Sequence, residues 1–180
     1  MAKVIILGSS SAVPDEAHEN THLAITGNGH TILIDSVGNP VLRLPQAGIA
    51  LDSVTDIIIT HFHPDHVSGV PLLLMSMWLL GRKKPLHIYG LEHAIERLKN
   101  LMTFYDWESW PNFYPVTFQI LPYEELALVL EDDELRVFAS PVKHLIPAIG
   151  LRVEFKEKDK IFAYSGDTEP TDVVIRLAEG

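Results

Sequence analysis

An α/β fold is predicted for this chain from three observations. Short apolar, β-branched segments recur along its length, helical segments alternate with them through the middle third, and turn residues punctuate the intervals. Of 180 residues, 47% are hydrophobic and 21% charged, enough apolar surface to offset the entropy of ordering one core. A single domain spanning 1–180 is therefore expected.

The elements follow in order. Val4–Leu7 reads as a buried first strand, followed by a Ser/Pro-rich loop. His22–Thr26 and Thr31–Asp35 flank Gly27-Asn28-Gly29, and Asn-Gly between two apolar runs is a strong hairpin signal. A helix is predicted over Val41–Ala50. Asp56–Thr60 (DIIIT) is a buried strand with β-branched residues. Helices over Pro71–Leu80 and Glu92–Phe104 are separated by a strand at Leu86–Tyr89. Further strands are read at Val116–Leu121, Leu135–Ala139, Gly150–Phe155 and Ile161–Tyr164, with polar turns such as Glu131-Asp132-Asp133 and Glu157-Lys158-Asp159 between them, and a last helix starts near Pro170. No internal repeat or low-complexity tract is evident.

Composition narrows the chemistry. The chain has no cysteine, so it can build neither disulfides nor thiolate metal sites, and any metal must be held by His, Asp or Glu. A net charge of −10 disfavours general attraction to a phosphate backbone. The first apolar run is too short for a signal segment, so a cytoplasmic location is expected. The longest apolar run, Val70–Leu80, is interrupted and falls short of the roughly 20 residues a membrane span needs.

The chemistry-bearing segment is Thr60-His61-Phe62-His63-Pro64-Asp65-His66, with three imidazoles and a carboxylate directly after a buried strand. A shuffled chain of this composition would show the spacing with a probability of about one in a thousand. Neutral imidazole and carboxylate are the ligands left for zinc or a similar cation when thiolates are absent. His61 and His63, two apart, can project to the same side of an extended segment, while Asp65 and His66, beyond a bend at Pro64, can face a second position. Two ions a few ångströms apart can activate one water and stabilise both entering and leaving oxygens. Two further candidates are His144, which follows the strand Leu135–Ala139, and Asp167, which follows Ile161–Tyr164 through a glycine. Taken alone, a His after a strand is more often a packed or solvated residue, and a Gly-Asp is usually a turn.

Taken together, GSSSAVP near the start, NTH at Asn20–His22, ILIDS at Ile32–Ser36, THFHPDHVSG, VKHLIPAIGLRVEF and FAYSGDT resemble the metallo-β-lactamase superfamily, specifically its ribonuclease Z-like branch. The likeness runs through nearly the whole chain. It implies an αββα sandwich with metals at one edge of the two sheets. It also implies a hydrolase, most specifically a phosphodiesterase using a metal-activated hydroxide. Carried over by position, His61, His63 and His144 would hold one zinc, Asp65 and His66 a second, and Asp167 would bridge them, with Asp65 also orienting or deprotonating the attacking water. Mn²⁺ or Fe²⁺ would suit the same ligands. The family normally supplies one more histidine, and a Glu-His element, from segments beyond the YSGDT region. No histidine follows Asp167 here, so the expected sandwich is incomplete at its C-terminus. The remainder would be lost in a fragment or supplied by association in a homo-oligomer, or else the second metal would bind weakly.

The implied substrate is a small-molecule or RNA-type phosphoester. The basic, glycine-rich arm with which ribonuclease Z-like enzymes grip tRNA has no counterpart here. Glu92 to Pro115 contains only Arg97 and Lys99 as basic residues, and Phe104 to Tyr114 holds six aromatics that can pack on the core or form a lid. Arg82-Lys83-Lys84 reads as a solvated turn before it reads as a phosphate contact. His18, His22, His30, His87 and His93 are left outside the site. On the same scaffold, a lactone, thioester or β-lactam hydrolase and a non-catalytic metal-binding protein are the alternatives.

Overall fold

The computed structural model describes residues 2–27, 29–157 and 159–180. It forms two facing sheets with helices on both outer sides. The first sheet contains β1 (Lys3–Gly8), β2 (His22–Thr26), β3 (Thr31–Ile34), β4 (Val54–Ile58), β5 (Leu86–Leu91) and β6 (Val116–Leu121), in that order. Its first two pairings are antiparallel and the next three parallel. The second sheet is antiparallel, ordered β10 (Lys160–Tyr164), β9 (Ala148–Phe155), β8 (Leu135–Val142), β7 (Ala127–Glu131). The β2–β3 hairpin forms as expected, with Thr26 opposite Thr31. Asn28, on which its turn was read, and Lys158 of the Glu157-Lys158-Asp159 turn lie outside the described residues.

Side-chain alternation on the central strands makes two cores. Leu33 and Ile57 face α1 (Pro40–Gln46), α3 (Val70–Leu79) and α4 (Glu92–Thr103), packing with Leu44, Leu73, Ile95 and Leu98. Their neighbours Ile32, Ile34 and Ile58 point the other way, onto Val137, Ile149, Leu151 and Val153 of the second sheet. On that sheet's far side α5 (Asp172–Ala178) seats Leu177 over Gly150, where a Cβ would come within 2.8 Å of a leucine methyl. The layer order is thus αββα. Among the described residues, no helix is long and apolar enough to cross a membrane.

Several elements differ from the sequence-based expectation for identifiable reasons. The first helix stops at Gln46 rather than Ala50, because Ala47 turns its N–H back onto the last carbonyls and Gly48 takes a left-handed φ of 77°. β8 runs on to Val142 through Pro141, a residue that ordinarily argues against a strand. β7 was not anticipated, since ALVLE shows no clean alternation and its pairing carries a bulge between Leu128 and Leu130. The aromatic segment lies at the N-terminal end of β6, away from the ends where β4 and β5 deliver their loops. There Trp78 stacks on Trp110 at 4.9 Å, and Trp107 and Phe113 pack on the helix-side core, so the packing alternative describes it and a lid does not. Arg82 is buried rather than solvated. Its guanidinium donates to the carbonyls of Val54, Pro85 and Lys84 at 2.7, 2.8 and 2.9 Å, tying the turn to the sheet.

Candidate metal centre

β4 was expected to reach Thr60 but ends at Ile58, because the next residues bond to the surroundings of the site instead of to the ladder. Ile59 still donates to Tyr89 of β5 at 2.8 Å. Thr60 then donates its N–H to the Asp35 carboxylate at 2.8 Å, and its carbonyl accepts from Ile149 of β9 at 3.0 Å, which stitches the two sheets together at this end. His61 and His63 follow in extended backbone. Pro64 opens a short helix, α2 (Pro64–Val67), rather than a simple bend, since its fixed φ and missing N–H suit a first helical position. Asp65 and His66 are therefore presented from one helical turn. Hydrogen bonds from Ser36 N–H to the His66 carbonyl and from Gly69 N–H to the Ser36 carbonyl, each 2.9 Å, fasten that turn to the end of β3.

The six residues predicted from sequence come together from three separate segments. His61 Nε2 lies 2.9 Å from His63 Nδ1, and His144 Nε2 lies 3.2 Å from the same atom. Four ligands on one tetrahedral zinc at about 2.05 Å would hold their nitrogens roughly 3.3 Å apart, so this group has the spacing of a cation's coordination shell. A second group shares His61 and adds His66 and Asp167. His66 Nε2 is 3.5 Å from Asp65 Oδ2 and 3.6 Å from Asp167 Oδ1. Asp167 reaches this position through Gly166, whose φ is 61° and where a Cβ would lie 2.7 Å from the Ile149 carbonyl oxygen.

The protonation state of His61 suits metal binding. Burial, and then the neighbouring His66, His144 and His63, push His61 down to about 3, so its ring stays neutral with a lone pair available. Burial also acts to lower His66, but the hydrogen bond and charge of Asp35, followed by Asp167 and Asp65, leave it above the ordinary value. Asp35 accepts a hydrogen bond from His66 Nδ1–H at 2.7 Å, which fixes the ring and turns Nε2 toward Asp65 and Asp167. The Thr60 hydroxyl donates to the same oxygen, Asp35 Oδ2, at 2.7 Å, and can accept from His61 Nδ1 at 3.1 Å. One buried carboxylate thus sets two imidazoles, one of them through a hydroxyl. A cleft of about 460 Å³, lined by His144, Leu145, Gly166, Asp167, Thr168 and Glu169, opens beside both groups.

Asp35, Thr60 and His93 were not among the residues singled out from sequence. A carboxylate closing the apolar run ILID was the visible signal for Asp35. His93 was read as a helix-surface residue, but it sits in the first turn of α4 within the electrostatic influence of His63. His22, also set aside, is buried at the start of β2, with Nδ1 2.9 Å from the Asn20 carbonyl oxygen.

The chain is similar to known proteins in both sequence and fold. The family model described as Anti-Pycsar protein Apyc1 matches residues 2–178. The chain belongs to that Apyc1 family. It is a member of the metallo-β-lactamase superfamily, in the ribonuclease Z-like branch. It is 37% identical over 162 residues to ribonuclease Z of Pyrococcus abyssi, an alignment covering 89% of this chain and 50% of that one. Among solved structures, the short form of human tRNase Z (ELAC1) superposes with a TM-score of 0.77 at 25% identity, covering 98% of this chain and 74% of the other. The metallo-β-lactamase fold protein YhfI from Bacillus subtilis gives 0.74 at 16%, covering 95% and 64%, which bears on the fold alone. This Apyc1-family chain spans about half the length of most of the curated relatives it matches.

Proposed function

We propose that the chain is a metal-dependent phosphodiesterase of the ribonuclease Z-like type, carried by one domain and acting on a small-molecule or RNA-type phosphoester. The observation that carries the reading is the pair of donor groups hinged on His61, with four imidazoles and two carboxylates and no thiolate. His61, His63 and His144 would hold one divalent ion, and Asp65, His66 and Asp167 would hold a second. Zinc fits this donor set best, and Mn²⁺ or Fe²⁺ could use it. Divalent ions held there supply Lewis acidity, lowering the pKa of water and offsetting charge on the phosphoryl oxygens.

The chain's own groups have separable tasks in this reading. Asp65, whose side chain is 17% exposed, orients the attacking water and takes its proton. Asp35 and Thr60 hold the rings of His66 and His61 so that no reorientation is needed during reaction. The names of the ribonuclease Z relatives support phosphodiester cleavage over ester or lactam hydrolysis. The test is hydrolysis of bis(p-nitrophenyl) phosphate by the metal-loaded protein. Turnover is expected, to be abolished by EDTA and restored by Zn²⁺ or Mn²⁺. Turnover of lactones or thioesters with none of this diester, or tight metal binding with no turnover of any ester, would overturn the reading.

A further inference from the structure

His93 belongs to neither donor group, yet the first sheet carries it to them. Ile57 and Ile58 of β4 pair in parallel with Ile88 and Tyr89 of β5, and Ile59 N–H still donates to the Tyr89 carbonyl beyond the end of β4. The segments 59–63 and 90–93 therefore leave the sheet side by side. Gly90 permits the close approach, since a Cβ there would lie 3.2 Å from the Ile59 carbonyl oxygen. His93 follows directly, in the first turn of α4. Its Nδ1 is shut off from solvent and has no hydrogen-bond partner among the described residues. An N–H buried without an acceptor is costly, which favours the tautomer that keeps Nδ1 bare and the proton on Nε2.

The site has need of such a group. Its carboxylates, Asp35, Asp65 and Asp167, only accept hydrogen bonds when ionised. The rings of His61, His63, His144 and His66 are turned toward one another and toward those carboxylates. Lys143, next to His144, is paired with Glu169 at 2.6 Å. A phosphodiester has two non-bridging oxygens that seek donors, and a neutral imidazole N–H can serve one of them without competing for the cations. His144 and Asp167 come from the second sheet's loops, whereas His93 comes from the first, so it can meet a substrate that the other two leave open on that side.

Resting on the phosphodiesterase reading above, we propose that His93 is a substrate-contacting residue whose Nε2–H donates to a non-bridging oxygen of the bound phosphodiester. The experiment compares the metal-loaded wild-type protein with His93→Ala and His93→Gln, recording metal content, kinetics on bis(p-nitrophenyl) phosphate and, by calorimetry, affinity for inorganic phosphate. For His93→Ala, KM and the phosphate dissociation constant should both rise about 10-fold, the scale of one lost hydrogen bond, with kcat changed less than about threefold and metal content unchanged. His93→Gln, which retains an N–H donor, should recover most of the loss. Unchanged KM and phosphate affinity in His93→Ala would overturn the proposal, and so would a loss of bound metal, which would make His93 a ligand or a structural prop. If the wild type binds metal but does not hydrolyse the diester, the phosphodiesterase reading fails by itself, and the phosphate titration still decides whether His93 contacts a phosphoryl group.

Discussion

Asp35→Ala is expected to lose about 3–5 kcal/mol of folding stability and to bind divalent metal about 10–100-fold more weakly than the wild type. The side chain is wholly buried and answers three donors at once, the Thr60 N–H, the Thr60 hydroxyl and His66 Nδ1–H. Alanine would leave them without an acceptor where no solvent can replace it. The backbone adds to the loss, because Asp35 has a φ of 61°, a left-handed conformation that Asp and Asn tolerate and alanine resists. Urea unfolding of the metal-free protein reads the stability, and competition with a chelating dye reads the affinity. Asp35→Asn keeps the backbone conformation and one oxygen, so it should lie between the two. If Asp35→Ala folded as well as the wild type and held its metal as tightly, the carboxylate would have no part in setting His66 and His61.

The second large effect is expected at Asp65. In Asp65→Ala, kcat on bis(p-nitrophenyl) phosphate should fall by about 10²–10⁴-fold, the usual contribution of a positioned general base, while the ion of the three-imidazole group stays bound. The two parts separate because Asp65 lies beside His66 Nε2 and takes no part in the His61, His63 and His144 group. Steady-state kinetics alongside metal analysis of the same preparation distinguishes them. Full activity with full metal content would remove Asp65 from the mechanism, and loss of the ion in the three-imidazole group would contradict its placement beside His66 alone.

What could be read from the amino-acid order depended on how local each signal is. Three imidazoles and a carboxylate fall within six residues, so the chemistry of His61, His63, Asp65 and His66 was visible before any fold was known. His144 and Asp167 needed the likeness to a family, because their contacts with the cluster span about 80 to 100 positions and only the stacking of two sheets creates them. Asp35 and His93 escaped for the same reason in a different form. Asp35 meets His66 through a ladder that carries β3 alongside β4, and His93 is carried to the same end of the sheet as His63 by the parallel register of β4 and β5. Strand limits went astray where the chain leaves a ladder for the site, as at Thr60, or stays in one despite a proline, as at Pro141. The elements with strong periodicity or clear punctuation, such as β2, β6 and α4, fell within a residue of expectation.

Divalent metal binding by the paired His and Asp groups underlies every role assigned above. Its most direct test is the metal content per chain after mild dialysis, measured for the wild type and for His63→Ala. Two ions per wild-type chain, with one lost in His63→Ala, is the predicted result. A wild-type chain that emerges correctly folded, carries no metal and takes none up from added Zn²⁺ or Mn²⁺ would contradict the account.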